Sequence, residues 1–207
     1  MNTVLPKKSV AIFAVLSWTT LVVQFVLLIQ NRVTSVIEAM LRYFTFFTIL
    51  TNILVAIVFT LVAFQWKNKS IFFTNPNTQT ATAVYIFVVG FVYNAILRFL
   101  WQPQGLQRIV DELLHLIIPI LYIVYWYTNV RTDTITYKSS RNWLIYPMVY
   151  LIVIMIRGYF SDYYPYPFVN VVELGYKKVL INSVGLTIFF GLISIVFVWI
   201  ARFKSRD

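Results

Sequence analysis

The sequence predicts an all-α integral membrane protein, a single bundle of six transmembrane helices spanning residues 1–207 with both termini cytoplasmic. Three observations lead there. Hydrophobic residues make up 60% of the chain and charged residues 12%, and the mean hydropathy is +0.77, a balance typical of membrane proteins. The apolar residues gather into six runs, each near the roughly 20 residues that a spanning helix needs. The basic residues fall between those runs, where they anchor loops to anionic headgroups and set orientation.

The first run, residues 9–30, follows Lys7 and Lys8; it is too long for a signal peptide and lacks a small-residue cleavage site. The second covers residues 43–66 and the third 80–101. The fourth, 113–130, and the fifth, 143–160, are on the short side, and the sixth covers 179–203. Trp18, Trp66, Trp101, Trp126, Trp143 and Trp199 lie mostly near run ends, as interfacial tryptophans do. Unbroken runs of this length do not fit the alternating ten-residue strands of a membrane barrel. No internal repeat points to an inverted-repeat transporter. Gly185 and Gly191 in the sixth run read as close-packing positions.

Charge and composition narrow the chemistry. A net charge of +10 would point to nucleic acid in a soluble protein, but here its partners are membrane lipids, and no nucleic acid is expected. The absence of cysteine excludes disulfides, thiol catalysis and iron–sulfur clusters. One histidine and seven carboxylates make a zinc site unexpected. No phosphate loop, serine elbow or cofactor fingerprint occurs, so no cofactor is expected.

Six spans place both termini on one side, with Lys7, Lys8, Lys67, Lys69, Arg131, Lys138, Arg141, Arg202, Lys204 and Arg206. The other side takes Arg32, Arg42, Arg98, Arg108, Arg157, Lys177 and Lys178. Glu38, Asp111, Glu112, Asp162 and Glu173 also fall there, leaving only Asp133 and Asp207 with the termini. Acidic residues do not set topology, so this asymmetry reads as chemistry on the non-terminal side.

His115 is the centre of that chemistry. An ionisable side chain within a span is costly and marks a functional site by default. On a helix, Asp111 and Glu112 lie four and three residues behind it, so either carboxylate can reach its ring. Pro119 removes the donor that the His115 carbonyl would use, which predicts a distorted helix. The ring is either a general base or a packing residue bonded to a neighbouring helix. At matching depth in the second run, Thr45, Thr48 and Asn52 share one helical stripe, and Thr51 points off it. These groups either bond between helices or supply a nucleophile to a histidine base.

Other candidates lie on the same side. Arg98, with Asn94 one turn before it, and Arg157 sit near outer span ends. Each either snorkels to the interface or holds a carboxylate or oxyanion. The aromatic, proline-rich loop 158–178 is long enough to be a lid over the bundle mouth or an interfacial belt. Loops 67–79 and 131–142 read as plain polar connectors.

The Tyr43-Phe44-Thr45-Phe46 start of the second run resembles the androgen-induced-protein-like family of six-span membrane proteins. So do the Leu113-Leu114-His115 run leading to Pro119 and the Tyr166-Pro167-Phe168 element. The bacterial branch is the more similar, through Thr51-Asn52 and Asp111-Glu112-Leu113-Leu114-His115, and the resemblance spans nearly the whole chain. It implies an atypical threonine hydrolase that cleaves the ester linkage of fatty acid esters of hydroxy fatty acids. The implied nucleophile is Thr45 and the implied histidine is His115, in a multi-pass protein of the bacterial inner membrane. The alternative is a non-enzymatic lipid- or solute-binding or transport protein built around the histidine and its carboxylates.

Overall fold

The structure is a computed structural model describing residues 4–64 and 71–205. Trp66, Lys67, Lys69, Arg206 and Asp207 lie outside the described residues. Among those described, all regular structure is helical. The helices are α1 (Lys7–Gln30), α2 (Val36–Tyr43), α3 (Phe47–Ala63), α4 (Ile71–Thr74) and α5 (Pro76–Ala95), followed by α6 (Gly105–Glu112), α7 (Ile118–Asn129), α8 (Tyr137–Trp143), α9 (Ile145–Ser161) and α10 (Val171–Lys204). A π-helical turn, Leu113–Ile117, joins α6 to α7, and short 3-10 turns occur at Leu97–Phe99 and Pro167–Val169.

Five stretches are long and apolar enough to cross a membrane: Lys7–Gln30, Pro76–Phe99, Gly105–Asn129, Tyr137–Ser161 and Val171–Lys204. The bent pair α2 and α3 makes a sixth if it is taken as one span. These helices are those of a multi-pass membrane protein.

Several boundaries differ from the sequence reading, each for a local reason. The second run is broken, with α2 and α3 meeting at 66°. The Thr45 amide and hydroxyl both donate to the Arg42 carbonyl, at 3.0 and 2.6 Å. A threonine that bonds its own backbone in this way competes with helix continuation. The fourth span begins earlier than residue 113, because the amphipathic stretch Gly105–Glu112 is already helical and runs on into the apolar one. His115 therefore sits near the middle of its helical stretch, not at its start. The loop expected over 158–178 shrinks because α9 continues to Ser161 and Asn170 caps α10, accepting from the Val172 amide at 3.1 Å. Gly175, at φ 71° and ψ 159°, interrupts α10 in a conformation open to glycine.

The chain divides into two compact units, Met1–Thr134 and Ile135–Asp207. In the first, α1 packs on α3, α3 on α5 and α5 on α7, while α6 returns to α1. Val55, Ala56, Val58 and Phe59 of α3 are fully enclosed, and Phe59 meets the rings of Tyr122 and Tyr125. The polar tips of α7 are satisfied by α5. Tyr122 donates to the Gln79 carbonyl (3.2 Å), Tyr125 to the Gln79 side chain (3.0 Å) and Trp126 to Thr80 (2.9 Å). Leu5 and Asn129 exchange two hydrogen bonds of 3.1 Å, so the start of α1 and the end of α7 share one end of this unit.

In the second unit α10 packs on α8, α9 and the Pro167–Val169 turn. The aromatic loop is pinned to its own helices. Tyr164 lies on Gly158, Tyr166 stacks on Phe168, and Asn182 donates to the Phe168 carbonyl at 2.9 Å. Val149, Ile152, Val153 and Ile156 of α9 are apolar and exposed, as suits a lipid-facing helix.

A Cβ at Gly158 would collide with three atoms of the Tyr164 ring. Gly158→Ala is expected to displace that ring and lower stability by about 1–3 kcal/mol. Thermal unfolding of the detergent-solubilised protein measures it, and an unchanged midpoint would refute the packing.

Candidate functional site

The site forms where the bend between α2 and α3 meets the π-turn. Spans two and four are neighbours here, the condition under which a threonine of one can meet His115 of the other. Pro119 explains the local backbone. In the π-turn the Ile118 amide bonds to the Leu113 carbonyl. Residue 119 would serve Leu114 in π-helical register and His115 in α-helical register, but proline has no N–H. The register shift and the proline together leave these two carbonyls without a backbone donor, and two asparagines from neighbouring helices supply one each. Asn52 of α3 donates to the Leu114 carbonyl at 3.3 Å, and Asn94 of α5 donates to the His115 carbonyl at 3.1 Å. The expected distortion is therefore a widened turn held from both sides.

That widened turn orients the imidazole. Nδ1 of His115 lies 2.9 Å from the main-chain carbonyl of Asp111. A carbonyl only accepts, so Nδ1 carries the proton, and Nε2 of the neutral ring is an acceptor. The Thr48 hydroxyl lies 3.3 Å from Nε2. Tyr93 stacks on the imidazole, with centroids 3.7 Å apart and planes at 11°. Thr48 and His115 are 7% and 8% exposed, so the pair is enclosed in protein.

The carboxylates do other work. Neither orients the ring in the way the i−4 and i−3 spacing predicts, because the Asp111 backbone already occupies Nδ1. The Asp111 carboxylate accepts from Trp101 Nε1 at 2.9 Å and Gln107 Nε2 at 3.4 Å. Glu112 pairs with Arg98 at 2.6 Å. The Arg98 guanidinium also lies over Tyr93, 5.6 Å from its centroid. Asp111, Glu112 and Arg98 thus buttress the wall behind the ring.

Thr45 lies in the bend, its hydroxyl on the Arg42 carbonyl. The predicted stripe of Thr45, Thr48 and Asn52 does not survive as one helical face, because the helix restarts only at Phe47. Thr48 and Asn52 keep their one-turn spacing, and Asn52 donates to the Thr48 carbonyl at 2.8 Å. The buried Asn52 Oδ1 and Thr51 hydroxyl have no hydrogen-bond partner among the described residues. Arg157 belongs to the second compact unit, bonded to Ser161 at 3.4 Å and lying over Tyr163. Among the described residues, no three histidine, aspartate or glutamate side chains gather as a metal set.

Tyr93, Gln107 and Gln24 were not anticipated as site residues. Gln24 and Gln107 carried a readable signal. Gln24 lies inside an apolar span where an amide requires a partner, and Gln107 supplies it at 2.8 Å. Tyr93 carried none, being one aromatic among 18 phenylalanines, 14 tyrosines and six tryptophans.

Fold and site together define an all-helical protein with five or six apolar spans and an enclosed hydroxyl–imidazole pair. No protein-family profile, curated protein or solved structure matches the chain.

The two asparagine bonds and one close approach hold the turn. A Cβ at Gly90 would lie 3.0 Å from the His115 carbonyl oxygen and 3.4 Å from Pro119 Cβ. Gly90→Val should therefore crowd the turn and destabilise the fold by about 1–3 kcal/mol. Asn52→Ala, which strands the Leu114 carbonyl, should cost a similar 1–3 kcal/mol or so. Denaturation midpoints test both, and wild-type values in either variant would contradict this account of the turn.

Proposed function

We propose that this chain is an intramembrane hydrolase of lipid esters, of the type that cleaves fatty acid esters of hydroxy fatty acids. In this reading it is a six-span bacterial inner-membrane protein of the androgen-induced-protein-like family, with both termini cytoplasmic. The observation that carries the proposal is the tautomer of His115. With Nδ1–H committed to the Asp111 carbonyl, Nε2 presents a lone pair to a threonine hydroxyl 3.3 Å away inside the protein. A hydroxyl beside an oriented, proton-accepting imidazole is the pairing that nucleophilic acyl transfer requires. The excess of basic residues on the terminal side supports the orientation.

The reaction follows from those groups. A threonine oxygen at the start of α3 attacks the acyl carbon while its proton passes to Nε2. The tetrahedral adduct collapses, the ester C–O bond breaks, and Nε2 returns the proton to the departing alkoxide, releasing the hydroxy acid. Water then attacks the acyl-threonine, giving its proton to Nε2, and the fatty acid leaves as the proton returns to the threonine. Tyr93 and the Asp111 carbonyl keep the ring in plane and in one tautomer throughout. Lipid enters laterally from the bilayer.

The full-length protein in detergent is expected to release fatty acid from such esters, and His115→Ala to lower the rate by about 10²–10⁴-fold. Release at the wild-type rate by that variant would refute the hydrolase. Lipid binding or flux without product would favour the non-enzymatic alternative.

A further inference from the structure

We infer that Thr48, rather than Thr45, is the nucleophile of this centre, with Asn52 as its positioning residue; the inference rests on the hydrolase reading above. A hydroxyl has one proton to give. The Thr45 hydroxyl donates its proton to the Arg42 carbonyl at 2.6 Å, a bond that belongs to the 66° bend between α2 and α3. Using Thr45 as the nucleophile would require breaking that bond and turning its hydroxyl away from Arg42. The Thr48 hydroxyl already faces Nε2 at 3.3 Å, and Nε2 is the nitrogen whose lone pair the Asp111 carbonyl leaves available. Catalytic hydrogen bonds of this length tighten once substrate is bound.

Asn52 ties the two halves of the centre together. Its amide nitrogen donates both to the carbonyl of Thr48, at 2.8 Å, and to the carbonyl of Leu114 beside His115, at 3.3 Å. One side chain thus sets the nucleophile's turn of α3 against the base's π-turn. Both acceptors are carbonyls, so the amide cannot flip without losing both bonds. Losing it lets α3 slide along the π-turn and lengthens the gap between Thr48 and His115.

A fluorophosphonate carrying a C12 alkyl chain reads the nucleophile directly. The threonine oxygen bonds to phosphorus, the P–F bond breaks and fluoride leaves, while Nε2 takes the hydroxyl proton. Peptide mass spectrometry of the labelled wild-type protein in detergent should place the adduct on Thr48. Thr48→Ser should still be labelled. Thr48→Ala should lose the label and lower cleavage of a p-nitrophenyl dodecanoate probe by at least about 10³-fold. Asn52→Asp, which keeps the side chain's size but loses the amide N–H donors, should slow labelling while the adduct stays on Thr48. An adduct on Thr45 would overturn the assignment and leave the hydrolase standing, as would a folded Thr48→Ala that still cleaves the probe. No adduct on either threonine together with no ester cleavage would overturn both.

Discussion

One missing hydrogen bond organises the centre of this protein. Pro119 has no N–H, and it stands where the backbone carbonyl of Leu114, in π-helical register, or of His115, in α-helical register, would find its donor. Inside a bilayer, water does not replace it. The helix widens to a π-turn, and Asn52 and Asn94 reach in from α3 and α5 to close the account. Three spans are locked in register by that repair, and the imidazole takes its direction from the same turn. π-turns inside α-helices frequently occur at functional sites. Here the cause is physical, since the widening frees the ring to reach back to the Asp111 carbonyl.

The polar groups near His115 form a connected set. Gln24, Gln107, Asp111, Trp101 and Tyr93 run from α1 to the imidazole face, and Glu112 with Arg98 closes the outer flank. A buried donor or acceptor left alone costs about 1–3 kcal/mol. A set whose members bond to one another can therefore run inward from the exposed Trp101 and the half-buried Arg98–Glu112 pair to the buried Asp111 and His115. It also keeps the ring rigid, because moving Tyr93 disturbs both the imidazole stacked on it and the Arg98 guanidinium that lies over it.

Much of the architecture was legible from residue patterning. Five of the apolar runs fall on helices long and apolar enough to cross a membrane, and the second falls on the bent pair α2 and α3, since run length against bilayer thickness is a strong constraint. The break in the second region was not legible. Tyr43 to Asn52 reads as continuous helix, and the Thr45–Arg42 bond, a local alternative to the helical ladder, marks where it ends. At the site, His115 and its proline were visible as an expensive group beside a lost donor. The meeting of spans two and four was a condition that sequence could state but not decide. Spacing suggested a carboxylate for the ring, whereas a backbone carbonyl holds it, and periodicity carries no information about main-chain acceptors. Asn52 was visible on the stripe, but its two acceptors lie on different helices, which only tertiary structure brings together.

The paired bonds between Leu5 and Asn129 bear on how the protein is made. They join residues 124 positions apart. The first helix leaves the ribosome long before its partner, so its leading end waits through four hydrophobic segments before it can be fastened. Contacts so distant along the chain form late. The clasp closes only when α7 has arrived with Asn129 at the same membrane face as Leu5. A chain whose segments inserted with the wrong polarity would leave both ends of the clasp unfastened, on opposite sides of the bilayer.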